Sequence, residues 1–184
     1  MLVLHFDYPS PASAVALLRL QALADEGGRV VFNGIDALGL DATLPPTLDQ
    51  LEEHERYRER AAALGLRMAP PTCRPPTVAA HLVGDLAERQ GLGAAWRAAC
   101  LTAFWAEGID LGDEAALGSL AARAGLDPAA VHRTLADRTA RDRVRRRMIE
   151  QRGRGVGGVP VLELSGTLVS AEVSDADLRE LVGL

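Results

Sequence analysis

Two strand-like runs at the start of the chain are separated by one helix-length segment, and that spacing dictates how they pair. Leu2-Val3-Leu4-His5-Phe6-Asp7-Tyr8 is short and apolar and runs straight into Pro9-Ser10-Pro11. Ser10 can cap a helix, and Pro11 suits its first position because proline has no N–H to leave unsatisfied there. Val15, Leu17, Leu18, Leu20 and Leu23 carry the helix to Gly27-Gly28, and Arg29-Val30-Val31-Phe32-Asn33-Gly34-Ile35 reads as the second strand. A connection of this length is a crossover, which leaves its two strands parallel. The opening is therefore an α/β unit.

The middle of the chain is helical in pattern. Leu40 to Pro46 reads as a loop, and Thr47 caps a helix reaching Leu64, dense in Glu and Arg at three- and four-residue spacing. Met68 to Pro76 holds four prolines and cannot be regular helix. Helices are predicted over 77–90, 92–107, 113–124 and 127–151, with Asp113 and Asp127-Pro128 as start signals. The ending returns to strands. Val156-Gly157-Gly158-Val159-Pro160-Val161-Leu162-Glu163-Leu164 reads as a strand preceded by glycines, and Ser165-Gly166 turns it back into Thr167-Leu168-Val169. Ser174 caps a last helix over 175–182.

Composition narrows the chemistry. The 184 residues allow one domain, or one domain carrying an insertion, and are too few for an eight-fold barrel enzyme. All 20 basic residues are arginine. Schiff-base chemistry, a phosphate-loop lysine and a lysine base are thus excluded together. Cys73 and Cys100, the two cysteines, form no C-x-x-C pair, which argues against a cysteine zinc site or a disulfide scaffold, and no metal ligands are assigned. A net charge of −5 speaks against nucleic acid as a partner. No apolar run is long enough to span a membrane, and Met1 to Tyr8 lacks the basic and apolar regions of a signal peptide, so the expectation is a cytoplasmic protein.

The order βαβ, helices, ββα is that of the thioredoxin fold, and three segments carry a closer resemblance. Phe6-Asp7-Tyr8-Pro9-Ser10-Pro11-Ala12-Ser13 resembles the opening of 2-hydroxychromene-2-carboxylate isomerases and kappa-class glutathione transferases. Phe104-Trp105-Ala106-Glu107-Gly108-Ile109-Asp110-Leu111 resembles a segment of the helical insert of the DsbA-like branch of the superfamily, and Gly155-Val156-Gly157-Gly158-Val159-Pro160 resembles its G-V-x-G-V-P. Pro76-Thr77-Val78-Ala79-Ala80-His81 is closer to the frenolicin-type DsbA-like proteins. The resemblance implies an α/β thioredoxin fold with an inserted all-helical domain: residues 1–40 and 152–184 form the thioredoxin-like domain and 41–151 the insertion. It implies that Ser10 stands where disulfide oxidoreductases carry a cysteine. The serine would be catalytic through a hydrogen bond to the sulfur of glutathione or another low-molecular-weight thiol. Pro11, Val159 and Pro160 would help hold that cofactor, with a cis bond before Pro160 and the Val159 backbone free to pair with it. The partners implied are the thiol and a small-molecule substrate, with no nucleic acid and no membrane; a homodimer is allowed.

The residues themselves leave several assignments open. Ser10 also reads as a plain helix cap. Ser13 reads as solvent-facing or bonded back to its own helix, Asp7 as a site residue or a structural strand-end carboxylate, and His5 as a half-buried strand residue. His81, on an apolar helix face, reads as a buried satisfied histidine or a general base. Arg74 or Arg67 could meet a cofactor carboxylate in place of the missing lysine, or be plain surface arginines. Ser170-Ala171-Glu172 departs from the glycine-based turn of relatives. Cys100 reads as core and Cys73 as a loop thiol without activating neighbours. Nine arginines between Arg133 and Arg154 read as a solvated face balanced by Glu52, Glu53, Glu55 and Glu59. The function expected is a thiol-dependent isomerisation or transfer. The alternatives are a DsbA-family oxidoreductase homologue with a degenerate site and a non-catalytic peptide-binding module.

Overall fold

A computed structural model describes residues 1–184. Strand β1 (Leu2–Phe6) leads into α1 (Pro11–Asp25), which returns the chain to β2 (Val30–Gly34). The crossover does what its length requires: β2 lies parallel to β1, with Leu4 opposite Phe32. Strands β3 (Val161–Leu164) and β4 (Thr167–Ser170) complete a four-stranded sheet of order β2-β1-β3-β4. Leu162 of β3 faces Leu4 of β1 in antiparallel register, and both side chains are fully buried. The β3–β4 turn uses Ser165 at φ 51° and Gly166 at φ 85°, the two left-handed residues that a tight hairpin needs to match strand twist. Helix α8 (Asp175–Val182) closes the chain, capped by Ser174 Oγ on the Asp177 N–H.

Between β2 and β3 the chain is helical: α2 (Leu48–Ala63), α3 (Val78–Arg89), α4 (Gly93–Leu101), α5 (Glu114–Arg123), α6 (Pro128–Ala136) and α7 (Arg138–Gly153). The single helix expected over 127–151 is two. Asp137 breaks it: its extended backbone ends α6, and its carboxylate accepts the Ala140 N–H to start α7. The helix expected over 92–107 also changes character. After α4 the backbone widens into a π-helical turn at Thr102–Ala106, where the Glu107 N–H reaches back to the Thr102 carbonyl. The widening swings Phe104 and Trp105 into the core edge to face, 4.8 Å between ring centres. Residues 156–160, expected to belong to β3, carry no strand pairing, and β3 begins only at Val161. Three glycines in Gly155–Gly158 weaken any strand there.

The arginine-rich stretch is neutralised in part, five of its nine arginines pairing with a carboxylate, but not with the expected glutamates. Arg141 pairs with Glu114, Arg145 with Asp41, Arg147 with Asp85 and Arg154 with Glu163. Glu55 is engaged instead by its neighbour Arg58. His5, expected half-buried, is 1% exposed, because its strand lies inside the sheet; it bonds Glu163 on β3 and Asn33 on β2. No helix is long and apolar enough to cross a membrane.

Candidate functional site

The β1–α1 turn is built by short-range bonds that the sequence supplies. Ser10 has extended backbone angles, and its Oγ accepts the Ser13 N–H at 3.1 Å, so it does cap α1. The same hydroxyl points at the carbonyl of Val159 across the site, 3.4 Å away. That is long for a hydroxyl donor, which prefers about 2.5–3.0 Å, so the proton is weakly committed. The Val159–Pro160 peptide bond is cis. Pro11 occupies the first helical position.

Asp7 fixes the turn from beneath. Its Oδ1 accepts from the Thr77 hydroxyl at 2.7 Å and from His81 Nε2 at 3.1 Å, and its Oδ2 accepts the Ala37 N–H at 2.7 Å. Its own N–H donates to Ser13 Oγ, and its carbonyl accepts the Ser10 N–H. Ser13 is therefore fully buried, against the expectation of an exposed or back-bonded serine, because the strand end and not the helix uses its hydroxyl. His81 is also buried; it stacks on Tyr8 at 5.0 Å and lies so close to β2 that a Cβ at Gly34 would stand 2.0 Å from its Nδ1. It is a satisfied histidine holding Asp7. Trp105 reaches the turn from the helical side: its Nε1–H donates to the Tyr8 carbonyl at 3.0 Å.

Asp36, which the sequence did not single out, lies buried next to this network. Burial, reinforced by the Asp7 charge, raises its pKa from the ordinary 3.8, against the bond it accepts from the Gly39 N–H. A carboxyl with a raised folded pKa gives stability that is complete below its unfolded value and fades as pH rises through the folded one. Asp36→Asn keeps an acceptor for Gly39 and carries no charge. Its thermal midpoint is expected above wild type at pH 7, the gap closing as pH falls below 3.8. Equal midpoint differences at both pH values would show that Asp36 carries no such penalty.

These elements border a half-open cavity of about 610 Å³. Asp7, Pro9, Ser10 and Val159 form one end; Ala37 and Leu38 after β2, the first turns of α2, and Arg74-Pro75 form the rest. The lining is mostly polar, with Asp49, Gln50, Glu52, Glu53 and Arg56 contributed by α2. Gln50 is fastened by its Nε2–H to the Pro9 carbonyl at 3.2 Å. Burial raises the pKa of Glu53, with Arg56 acting against the shift. Of the two arginines proposed as anion partners, Arg74 lines the cavity and Arg67 is exposed away from it. The Ser170–Glu172 turn is not on the cavity; Glu172 is held by the Tyr57 hydroxyl at 2.8 Å and by Arg60 at 3.0 Å. Neither cysteine is activated. Cys100 is buried beside Tyr8 and Cys73 half-buried, and burial pushes both thiols up, Asp110 adding to it at Cys73. No group of three or more metal-ligating side chains stands together.

A four-stranded mixed sheet whose first helix starts at a Ser-Pro facing a Val-Pro loop defines a thioredoxin-fold protein without its dithiol. The chain belongs to the DsbA-like thioredoxin family, whose model it matches over residues 1–181. Its fold is similar to that of a probable DsbA oxidoreductase from Streptomyces coelicolor, with 23% identity and a TM-score of 0.82 over 98% of this chain and 87% of that one. It is also similar to a 2-hydroxychromene-2-carboxylate isomerase (23%, TM-score 0.73, 91% and 87% covered). A third similar structure is the cytosolic disulfide reductase DsbM from Pseudomonas aeruginosa, solved with glutathione (19%, TM-score 0.63, 97% and 95% covered). None of the curated proteins matches the chain.

Proposed function

We propose that this protein binds glutathione or an equivalent small thiol at Ser10 and uses it for isomerisation or transfer on an electrophilic small molecule in the cytoplasm. The observation that carries the reading is the Ser10 hydroxyl, placed at the N-terminus of α1 and opening on the cavity: it accepts the Ser13 N–H, and its own proton has only a long contact to the Val159 carbonyl. A helix N-terminus favours a sulfur anion, and a hydroxyl with an uncommitted proton can donate to it. Disulfide exchange needs an attacking thiolate, and the position that would carry it holds serine. Val159 and Pro160 form the opposite wall, where backbone groups can meet the peptide-like body of the thiol. The glutathione-bound relative supports a thiol in this fold, and the isomerase relative supports the reaction class.

Titration calorimetry with glutathione tests this. Wild type is expected to bind, and Ser10→Ala to bind about tenfold more weakly, the worth of one hydrogen bond to a charged acceptor. Insulin reduction is expected from neither. Binding by neither protein, or disulfide reduction by wild type, would overturn the proposal.

A further inference from the structure

Arg74 stands apart from the other arginines. Eleven of the 20 pair with a carboxylate of the chain, most of them at the surface. Arg74 is half-buried, lines the Ser10 cavity, and has no side-chain partner within the chain. A guanidinium carries five donors in a planar fork, and withdrawing it partly from water without an acceptor is unfavourable unless something else supplies one. Its backbone is also fixed. The Arg74 N–H donates to the Leu44 carbonyl at 2.7 Å and the Leu44 N–H to the Arg74 carbonyl at 3.0 Å, an isolated bridge between two loops. Pro75 and Pro76 follow directly and restrict the chain further. The result is an unpartnered cation on a stiff support, in the same cavity as the serine.

The remaining charges say what kind of anion fits. Asp7 just after β1 and Asp49, Glu52 and Glu53 on α2 also line the cavity, and Arg56 is the other cation. The Asp7 oxygens are already engaged by Thr77, His81 and Ala37. A ligand that is only anionic would be repelled by that wall. One carrying both a carboxylate and an ammonium has a partner for each sign.

We infer that Arg74 anchors a carboxylate of the ligand through its guanidinium fork, and so makes the cavity selective for thiols that carry a carboxylate together with an ammonium group. The inference rests on the thiol-binding reading of Ser10. It assigns Arg74 to specificity, with Ser10 left to meet the sulfur. A bidentate guanidinium–carboxylate contact fixes orientation as well as affinity, which lysine, as a point charge, does less well.

The test compares glutathione with glutathione diethyl ester, which keeps the thiol, amides and ammonium but has both carboxylates capped. Calorimetry is run on wild type, Arg74→Gln, Arg74→Lys and Ser10→Ala. Arg74→Gln is expected to weaken glutathione about tenfold or more while leaving the ester within about twofold. Arg74→Lys is expected to recover part of the loss, and the thermal midpoints to stay at wild type because the side chain bonds nothing in the chain. If Arg74→Gln leaves glutathione unchanged while Ser10→Ala still weakens it, the anchor is overturned and the thiol reading stands. Equal weakening of both ligands by Arg74→Gln would likewise overturn it, showing a packing effect rather than a carboxylate contact. If wild type binds neither ligand, the anchor falls together with the thiol reading.

Discussion

Replacing Asp7 with alanine is expected to cost about 3–5 kcal/mol, because each buried donor left without its acceptor costs about 1–3 kcal/mol. The carboxylate is 3% exposed and gathers three donors, from Thr77, His81 and Ala37. Alanine leaves all three without an acceptor at a nearly buried position on the floor of the cavity. The loss is to be read as a lower urea midpoint with an unchanged slope. Asp7→Asn should cost less, since the amide oxygen still accepts one or two of the bonds, but its NH₂ group now faces a donor. A drop below about 1 kcal/mol in Asp7→Ala would show that the network does not hold the turn.

Trp105→Ala is expected to destabilise by about 3–5 kcal/mol through the cavity left in the core. The indole is fully buried, and it also lends its N–H to the Tyr8 carbonyl, two residues before Ser10. Trp105→Phe separates the two roles: it keeps most of the apolar contact and strands the carbonyl, for about 1–3 kcal/mol. If the indole bond positions the turn, Trp105→Phe should weaken glutathione at temperatures where the protein remains folded. Wild-type affinity together with wild-type stability in Trp105→Phe would mean that packing alone matters there.

What could be read in the sequence followed from local chemistry. Ser10-Pro11 marked the start of α1 because capping and proline preference act within one turn, and the crossover length made β1 and β2 parallel. The segment around Trp105 was recognisable by resemblance, but its π-helical widening was not, since that depends on how Phe104 and Trp105 fit the core. Asp137 was hidden for the reverse reason: a charged residue in an arginine-rich run looks like helix surface until its neighbours' N–H groups need a cap. Asp36 carried no sequence signal at all. Its importance comes from lying beside Asp7, a proximity created by two strand ends. Ser13 was misplaced because its partner, the Asp7 N–H, belongs to the preceding strand. Arg74 could be named but not separated from Arg67, as only the bridge to Leu44 sets which of them faces inward.

The sheet order has a consequence for the growing chain. β1 is an inner strand, yet the neighbour on one of its sides, β3, starts only at Val161. Ser10 and the Val159 carbonyl that it faces are likewise 149 positions apart. Until translation has passed β3, one side of β1 presents open backbone donors and acceptors, the kind of edge that recruits other chains. A product terminated within α7 would thus have neither a ligand cavity nor a finished sheet. It would be a sticky fragment and not a smaller working version, so the segment that carries Val159 and β3 decides between a folded protein and an aggregation hazard.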